Sequence, residues 1–309
     1  MTVKTTFSKE DFAKILSNYN LGNYKKSQTF KLGAIQTNLL LETTKGKFAF
    51  RYYETRPERY ALFEVYLLEH LAGKRYPSPA PIRNKDGDLL GKYKQKPFAI
   101  FTFMHGRHKK SVDPILIAKA VGKLHEITAG YKPDYCAARD TYDQKSCWRN
   151  AILNSRKIKS KPEAKQRLEW LKSELRKLQL PVDLPKGVCH CDTHPSNFLY
   201  INGKLVAVLD FDDASYVYLL YDIANMIYFW AWPDKAIIKF DKAKKLLEEY
   251  SKYRKLTSPE KEYLYDMLKM VIFMSIGWFI HANDYNNEQR KIEYLNSISR
   301  KDFYNRIFT

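Results

Sequence analysis

Acidic and amide side chains that could do chemistry are concentrated in one stretch, residues 188–213. Within it, Asn202-Gly203 separates two apolar runs, Phe198 to Ile201 and Lys204 to Leu209. Asn-Gly favours a tight type I′ turn, because both central residues of that turn need a positive φ. The stretch is therefore predicted to form a β-hairpin with polar residues on both sides of its open end.

The turn also predicts the register of this hairpin. The expected pairs, counted outward from the turn, are Ile201 with Lys204, Asn197 with Val208, and Pro195 with Asp210. Paired Cα atoms lie about 4.5–5.5 Å apart. Asp192, Asn197 and Asp210 are therefore predicted to converge at the open end of the hairpin.

Two carboxylates and an amide oxygen are hard ligands of the kind that suits Mg²⁺. The spacing H-x-D-x-x-x-x-N followed by D-F-x matches the catalytic arrangement of kinases, with His190 opening the motif. It predicts that Asp192 accepts a hydroxyl proton and that Asn197 and Asp210 hold the metal. The alternative is an ordinary hairpin with polar flanking loops.

The same residues permit a zinc hypothesis, because C-H-C-D-T-H brings Cys189, His190, Cys191 and His194 together. No second C-x-x-C or H-x-x-x-H cluster completes such a site in the sequence. In a strand the two cysteines would share one face, so two small buried side chains are the favoured interpretation.

Length, composition and charge limit the classes of protein to which this chain can belong. At 309 residues with 45% hydrophobic residues, the chain is long enough for two packed lobes. The net charge of +19 permits nucleic-acid binding, but the basic residues are spread along the whole chain. Four cysteines in a chain of this length favour a reducing, cytoplasmic compartment. The N-terminus has no apolar signal core, and Met270 to Ile280 is too short to span a membrane.

In the N-terminal third, the sequence predicts a helix over 7–17, with Ser8 and Asp11 in a capping box. Three strands are predicted after it, at 28–33, 38–43 and 48–53. The turn over 34–37 could present backbone N–H groups to phosphates. In F-A-F-R, Ala49 and Arg51 share a face, which leaves room for a base and brings a cation toward phosphate, as V-A-I-K does in kinases.

The remaining elements complete two lobes. A helix over 58–72 offers Glu64 as an ion-pair partner for Arg51, although Glu58 or Glu69 would serve as well. A strand at 98–103 completes a five-stranded sheet, and Phe103-Met104 leads into a linker that could offer backbone groups to adenine. The boundary is predicted there, with residues 1–103 as the nucleotide-binding lobe and 104–309 as a mainly helical lobe.

The helical lobe is predicted from five stretches: 115–125, 145–178, 219–232, 241–253 and 258–282. The third of these is apolar and carries one acid, Asp222. A lone carboxylate among apolar residues needs partners, and holding the backbone of the catalytic loop is a plausible task for it. Helix capping is the alternative.

Several motifs resemble those of the aminoglycoside phosphotransferase / choline kinase superfamily: H-C-D-T-H-P-S-N, the N-G hairpin, D-F-D-D and Y-D-I-A. The N-terminal half most resembles homoserine kinase type II, in the stretches 33–43, 67–72, 77–87, 96–107 and 123–125. The resemblance covers nearly the whole chain. It departs at Cys191, where these families usually have Gly, and at D-F-D-D-A, which looks more like general members of the superfamily.

The resemblance implies an α+β, two-lobed protein-kinase-like fold with ATP between the lobes. It implies that Asp192 is the catalytic base, that Asn197 and Asp210 bind Mg²⁺, and that Asp222 supports the loop. The implied nucleotide-binding positions are Gln36, Thr37, Asn38, Ala49, Arg51, Glu64, Phe103 and Met104.

The expected reaction is transfer of the ATP γ-phosphoryl group to a small-molecule alcohol, with homoserine first among the acceptors. A choline-like alcohol, an aminoglycoside and a protein serine or threonine are the alternatives from the same fold. A basic nucleic-acid-binding or zinc-binding module without activity is the alternative from another class. Neither a nucleic-acid partner nor a membrane partner is expected.

Overall fold

A computed structural model describes residues 4–30, 35–109, 112–232 and 237–309. The chain divides into two units, which interleave along the sequence. The sheet unit comprises Met1–Ser111, Lys132–Arg139 and Pro195–Ala214, and the helical unit comprises Val112–Tyr131, Asp140–His194 and Ser215–Thr309. The catalytic hairpin predicted from the sequence thus belongs with the N-terminal sheet. The lobe boundary at residue 103 stays a prediction.

Among the described residues of the sheet unit, five antiparallel strands form one sheet in the order β1-β2-β3-β5-β4. The strands are β1 Tyr24–Thr29, β2 Thr37–Thr43, β3 Gly46–Tyr52, β4 Gly91–Tyr93 and β5 Lys96–Thr102. The predicted five-stranded sheet is confirmed. β1 begins and ends about four residues earlier than the sequence suggested, and the residues 31–33 of the predicted strand lie outside the described part of the chain.

Period-two alternation gives the sheet one apolar face. Leu39 and Leu41 of β2 and Phe50 of β3 are buried there, and the helix α1 (Lys9–Leu16) packs against them through Phe12. Burying one such side chain completely stabilises the fold by about 1.5–3 kcal/mol.

Two helices, α1 and α2, belong to the same unit as this sheet. The capping box predicted for α1 is present, because the Ser8 side chain accepts from Asp11 N while the Asp11 side chain accepts from Ser8 N. The helix α2 (Glu58–Gly73) carries Glu64 on a buried face.

The hairpin consists of β7 (Phe198–Ile201) and β8 (Lys204–Val208), with φ values of 49° at Asn202 and 80° at Gly203, as the type I′ turn requires. The predicted register is correct at the turn, where Ile201 faces Lys204, but wrong farther out. Leu199 faces Ala207 whereas Tyr200 faces Leu205, so Val206 is an extra residue on β8.

This bulge shifts every later pair by one residue. Phe198 faces Val208, and the carbonyl of Asn197 accepts a hydrogen bond from Leu209 N at 2.8 Å. Pro195 lies in a 3₁₀ turn, Pro195–Asn197, and therefore does not pair with Asp210 as predicted. The open end of the hairpin still brings Asn197 next to the residue that precedes Asp210.

The helical unit is built from eight helices among the described residues: α3 Ile115–Ile127, α4 Gln144–Ser155, α5 Lys161–Leu175, α6 Leu220–Met226, α7 Phe240–Tyr250, α8 Ser258–Phe279, α9 Tyr285–Asn296 and α10 Arg300–Phe308. β6 (Lys186–Cys189) and β9 (Ser215–Tyr218) pair antiparallel. The prediction missed α9 and α10. It also joined α4 to α5, which a Ser160 cap followed by proline separates.

One predicted helix ends differently from expectation. The apolar stretch 219–232 is α-helical only as far as Met226 and continues as a π-helical turn, Ile227–Ala231. Within the described residues, no helix combines the length and apolarity needed to cross a bilayer. Met270 to Ile280 lies in and just after α8, and this part of the chain is largely buried, as predicted.

Candidate active site

Arg51 on β3 joins two carboxylates of the sheet unit. Its Nη1 lies 2.6 Å from Oε1 of Glu64, and its Nη2 lies 2.9 Å from Oδ1 of Asp210. Its Nε donates to Oδ1 of Asn38 at 2.9 Å. Burial lowers the pKa of Arg51, but the two carboxylates raise it, and the net pKa lies well above its usual value. The guanidinium is therefore a permanent charge at this point.

Glu64 is the partner that the sequence proposed for Arg51, and the predicted ion pair is formed. The Glu64 side chain is 2% exposed, and its Oε2 accepts a hydrogen bond from the hydroxyl of Tyr53 at 2.8 Å. Burial raises the pKa of the Glu64 carboxyl, and Arg51 opposes that shift. Of the two other candidates, Glu58 pairs with Lys92 and Glu69 with Arg83.

Asp210 lies two residues after the end of β8 and adopts a left-handed backbone with φ of 60°. A non-glycine residue in this region is strained by roughly 1–2 kcal/mol, and such strain is commonly found at functional sites. Its side chain is 41% exposed although it pairs with Arg51. The carboxylate is therefore held in place and still open to solvent.

The two acids that follow Asp210 are held by a second arginine. Arg56 Nη2 lies 3.3 Å from Asp212 Oδ2 and 2.9 Å from Asp213 Oδ1. Gln36 Nε2 donates to Asp212 Oδ2 at 3.3 Å. The sequence left both acids undecided between an ammonium contact and solvent, and the structure pairs both with a guanidinium.

The predicted phosphate-loop residues use their side chains on the protein itself. Gln36 Oε1 accepts from Glu54 N at 2.8 Å, and Thr37 donates its hydroxyl to Glu54 Oε1 at 2.7 Å. Asn38 binds Arg51. These side-chain contacts fix the start of β2, and binding of phosphates by these residues stays a prediction. Ala34, the first residue of the predicted turn, lies outside the described residues.

Ala49 and the residues after β5 complete the predicted nucleotide positions. Ala49 pairs with Phe101 between β3 and β5. Phe103 is half-buried, and its ring lies 6.4 Å from that of Phe30 and 4.9 Å from that of His105. Met104 follows, half-buried and outside the strand. The roles of these residues in binding remain predictions.

In the helical unit, Asp222 holds the backbone of the loop that follows β6. Its Oδ2 accepts from His190 N at 2.7 Å, and its Oδ1 accepts from Cys191 N at 2.8 Å. The side chain is fully buried. The structural task predicted for this lone carboxylate is confirmed. The prediction that Cys189 and Cys191 share a strand face is wrong, because β6 ends at Cys189 and Cys191 takes a left-handed φ of 66°.

Asp192 lies immediately after this anchored pair. Its own N–H points to His190 Nδ1 at 3.3 Å, and its Oδ1 accepts from His194 N at 3.2 Å. The side chain is half-buried. These local contacts orient the carboxylate without removing it from solvent. Its predicted convergence with Asn197 and Asp210 stays a prediction.

Three residues that support the loop were not recognised in the sequence. Asn225 Oδ1 accepts from both N and Oγ1 of Thr193, at 2.6 and 2.7 Å. Trp230, in the π-helical turn, donates Nε1–H to Thr193 O at 2.8 Å. His125 contacts Asp222 at 3.2 Å and Tyr250 Oη at 2.7 Å. Its place in K-L-H was noted only as part of the resemblance.

His125 also bears on the zinc hypothesis. Ligand atoms of His125, Cys189 and Asp222 lie within 4.8 Å of one another, and all three residues are buried. The structure thus brings together a set that the sequence spacing did not suggest, without His190 or His194. Each of the three already has hydrogen bonds within the protein, including one from Cys189 Sγ to Tyr218 O at 3.4 Å. A metal ion is not needed to satisfy them.

The sheet unit offers the ligands that a hard divalent cation prefers. Asn197 supplies an amide oxygen and Asp210 a carboxylate. Among the described residues, Oδ1 of the buried Asp212 has no hydrogen-bond partner. A buried carboxylate oxygen without a hydrogen-bond partner is rare, and a bound cation would satisfy it.

Curated relatives cover most of the chain. It is 28% identical over 307 residues to homoserine kinase from Methylocella silvestris, which covers 96% of this chain and 94% of that one. It is 29% identical over 267 residues to homoserine kinase from Afipia carboxidovorans, with 84% of this chain and 80% of that one covered.

Solved structures share the fold. Amicoumacin kinase hAmiN, in complex with AMP-PNP, Ca²⁺ and Ami, superposes with a TM-score of 0.71 at 17% identity, covering 97% of this chain and 94% of that one. A microcompartment-associated aminopropanol kinase gives 0.65 at 15% identity, covering 94% of both chains. The predicted α+β, kinase-like fold is confirmed.

The model of one protein family, described as the phosphotransferase enzyme family, matches residues 26–256. This range includes Arg51, Asp192, Asn197 and Asp210. A match over most of the chain supports an enzyme rather than a binding module without activity, and the resemblance noted in the sequence is confirmed. The chain belongs to the phosphotransferase enzyme family and is an ATP-dependent phosphotransferase that acts on a hydroxyl group.

Proposed function

We propose that this phosphotransferase transfers the γ-phosphoryl group of ATP to the side-chain hydroxyl of homoserine. The observation that carries the proposal is the similarity to homoserine kinase, which extends over 96% of the chain at 28% identity. The similarity therefore includes both the sheet unit and the helical unit, where acceptor-binding residues are expected. None of the four cysteines forms a disulfide bond, which supports a cytoplasmic enzyme.

Asp192 is the proposed catalytic base. A base must lie within hydrogen-bond reach of the hydroxyl proton, so its backbone must be held in place. Asp222 and Asn225 supply that support by accepting main-chain hydrogen bonds from His190, Cys191 and Thr193. Asp192 then orients the hydroxyl of the acceptor and takes its proton late in the transfer.

Asn197 and Asp210 are the proposed ligands of Mg²⁺. When bound, the ion would supply positive charge that neutralises the phosphate oxygens of the nucleotide. The chain contributes the position of the ligands: the Asn197 carbonyl is bonded to Leu209, and the Asp210 carboxylate is held by Arg51. The exposed side of Asp210 leaves room for a further ligand.

The nucleotide is proposed to bind along β2, β3 and the end of β5. Arg51 takes the place of the usual lysine, and Glu64 fixes one side of its guanidinium. Because the side chains of Gln36, Thr37 and Asn38 bind protein groups, they would reach phosphates through backbone N–H groups. Ala49 leaves space for the base, and Phe103 and Met104 border it.

The test is Mg²⁺-dependent release of ADP from ATP with a panel of acceptors: homoserine, serine, hydroxylysine, choline, methylthioribose and kanamycin. The Asp192→Asn variant serves as the blank. Stimulation by homoserine above that blank is expected. If only choline or kanamycin stimulated ADP release, homoserine would be wrong as the acceptor, but the assignment as a small-molecule kinase would stand. ATP binding without stimulation by any member would contradict homoserine and direct the search to a protein acceptor.

A further inference from the structure

Arg139 is a buried cation of the sheet unit that neither the sequence motifs nor the proposed reaction uses. It ends the segment Lys132–Arg139, which belongs to the sheet unit although the chain before and after it belongs to the helical unit. Only 5% of the residue is exposed. A buried charge is costly unless it is well compensated, so its contacts require an explanation.

The guanidinium bonds to main-chain carbonyls of the segment that follows Asp210. Its Nε donates to Ala214 O at 2.7 Å, and its Nη2 donates to Asp212 O and to Phe211 O, the latter at 3.3 Å. These carbonyls belong to the 3₁₀ turn Phe211–Asp213 and to the residue after it. Several carbonyl dipoles thus face one cation, and they compensate the buried charge.

The fourth bond of Arg139 reaches α2. Its Nη1 donates to Tyr60 O at 2.9 Å. The guanidinium carbon also lies 3.6 Å from the ring centroid of Tyr60 and 4.7 Å from that of Phe63. Contacts between a cation and a ring at these distances are attractive, and more so when they are desolvated. Arg139 therefore joins the first turns of α2 to the segment after Asp210.

These contacts close a ring of interactions around Asp210. Glu64 lies one helical turn after Tyr60 on α2 and pairs with Arg51, which pairs with Asp210. Asp210 precedes the turn that Arg139 holds and has a left-handed backbone with φ of 60°. Strain of this kind persists only where the surrounding structure enforces it. Arg139 holds the backbone that follows Asp210, and Arg51 holds the Asp210 side chain.

We propose that Arg139 is a positioning residue that holds the backbone of the Asp210 turn so that the Asp210 carboxylate can bind the metal–nucleotide complex. This rests on the proposed role of Asp210 as a metal ligand. It does not depend on the identity of the acceptor alcohol. Arg139 donates to four carbonyl groups from three separate nitrogens. A lysine keeps the positive charge, but all its donors lie on one nitrogen, so it cannot reach the same carbonyl groups.

The test measures binding of Mn²⁺ to the complex with ADP, without any acceptor, in Arg139→Lys, Asp210→Asn and the double variant. The matched control is Arg83→Met, a change of an exposed arginine in the same unit. Circular dichroism and thermal unfolding identify samples that are folded at the assay temperature. Arg139→Lys is expected to weaken Mn²⁺ binding about tenfold, with no change in the control.

The double variant separates positioning from a general structural role. If Arg139 acts through Asp210, Arg139→Lys has little further effect in the Asp210→Asn background, because coupled residues are not additive. Full additivity would overturn the proposal, and so would unchanged Mn²⁺ binding in folded Arg139→Lys. If Asp210→Asn alone leaves Mn²⁺ binding unchanged, the metal role of Asp210 fails first, and the proposal fails with it.

A second variant serves if Arg139→Lys does not fold. Tyr60→Leu removes the ring that lies 3.6 Å from the guanidinium but keeps every carbonyl that Arg139 binds. A smaller weakening of Mn²⁺ binding, in the same direction, is expected. Binding equal to that of the unaltered protein would count against the proposal.

Discussion

Arg51 and Asp210 are 159 residues apart in the chain, and Nη2 of Arg51 lies 2.9 Å from Oδ1 of Asp210. The proposed metal ligand is therefore held by a cation that also pairs with Glu64 at 2.6 Å. Kinases of the general pattern carry a lysine here. An arginine can bind two carboxylates at once through separate nitrogens, which an ammonium does with less geometric control.

We expect Arg51→Met to lower turnover by about 10²–10³-fold, the range seen when one donor to a developing charge is removed. Arg51→Lys should keep part of the activity and raise KM for ATP, because a charge remains but one bridge is lost. Steady-state kinetics with varied ATP measure both. The control is Lys47→Met, an exposed residue on the same strand. Unaltered kinetics in Arg51→Met would contradict the assignment.

Asp192→Asn is expected to lower kcat by at least about 10²–10⁴-fold, the usual contribution of a general base. Its affinity for ATP should stay nearly the same, since asparagine keeps the size of the side chain and its amide oxygen can still accept the hydrogen bond from His194 N. Turnover and equilibrium binding of an ATP analogue are the two measurements. Exposed Asp183 provides the matched control through Asp183→Asn. Turnover like that of the unaltered enzyme would remove Asp192 from the proposed mechanism.

His125 should make stability depend on pH. Burial lowers its pKa, but Tyr250, Asp222 and Cys189 raise it, and the net pKa lies well above the usual value. A raised pKa in the folded state means that the stabilisation is complete below the unfolded pKa of about 6.5 and is lost as the pH rises through the folded pKa. The pair of protonated His125 and Asp222 therefore stabilises the folded protein more at low pH than at high pH.

The variant that checks this is His125→Phe, which removes the charged partner of the buried Asp222 carboxylate and keeps its hydrogen bonds from His190 N and Cys191 N. We expect a loss of about 3–5 kcal/mol in the free energy of unfolding near pH 6, and a smaller loss at alkaline pH. Urea unfolding across this range gives the difference. Tyr250→Phe removes only a hydroxyl and should cost about 1 kcal/mol. A difference that does not change with pH would contradict the charged state of His125.

Cys191 occupies a left-handed backbone position, with φ of 66°, where related families usually have glycine. Cys191→Gly should therefore fold and remain active, because glycine adopts this conformation without strain. Cys191→Val should be the less stable of the two by about 1–2 kcal/mol or more, since a β-branched residue is disfavoured there. Chemical unfolding and turnover measure both effects. Equal stability of the two variants would show that the backbone relaxes.

The local features of this protein were predictable because they depend on neighbours in the sequence. Asn202-Gly203 imposes a turn through the φ values it permits, and Ser8 caps α1 from three residues away. The spacing of Asp192, Asn197 and Asp210 indicated phosphoryl transfer for the same reason. The bulge at Val206 gave no such signal, so the register farther from the turn was wrong.

The sequence by itself thus indicated the family and its phosphotransferase activity, and it predicted the five-stranded sheet and the separate hairpin. Only the tertiary structure decided which partners act at long range. Arg51 had three candidate glutamates and bonds to Glu64. Arg56, Arg139 and His125 bond to Asp212, Ala214 and Asp222, which are 156, 75 and 97 positions away. A buried charge can be satisfied by any suitable group that folding brings within about 3 Å. Spacing along the chain does not encode that choice, because packing of separate elements makes it.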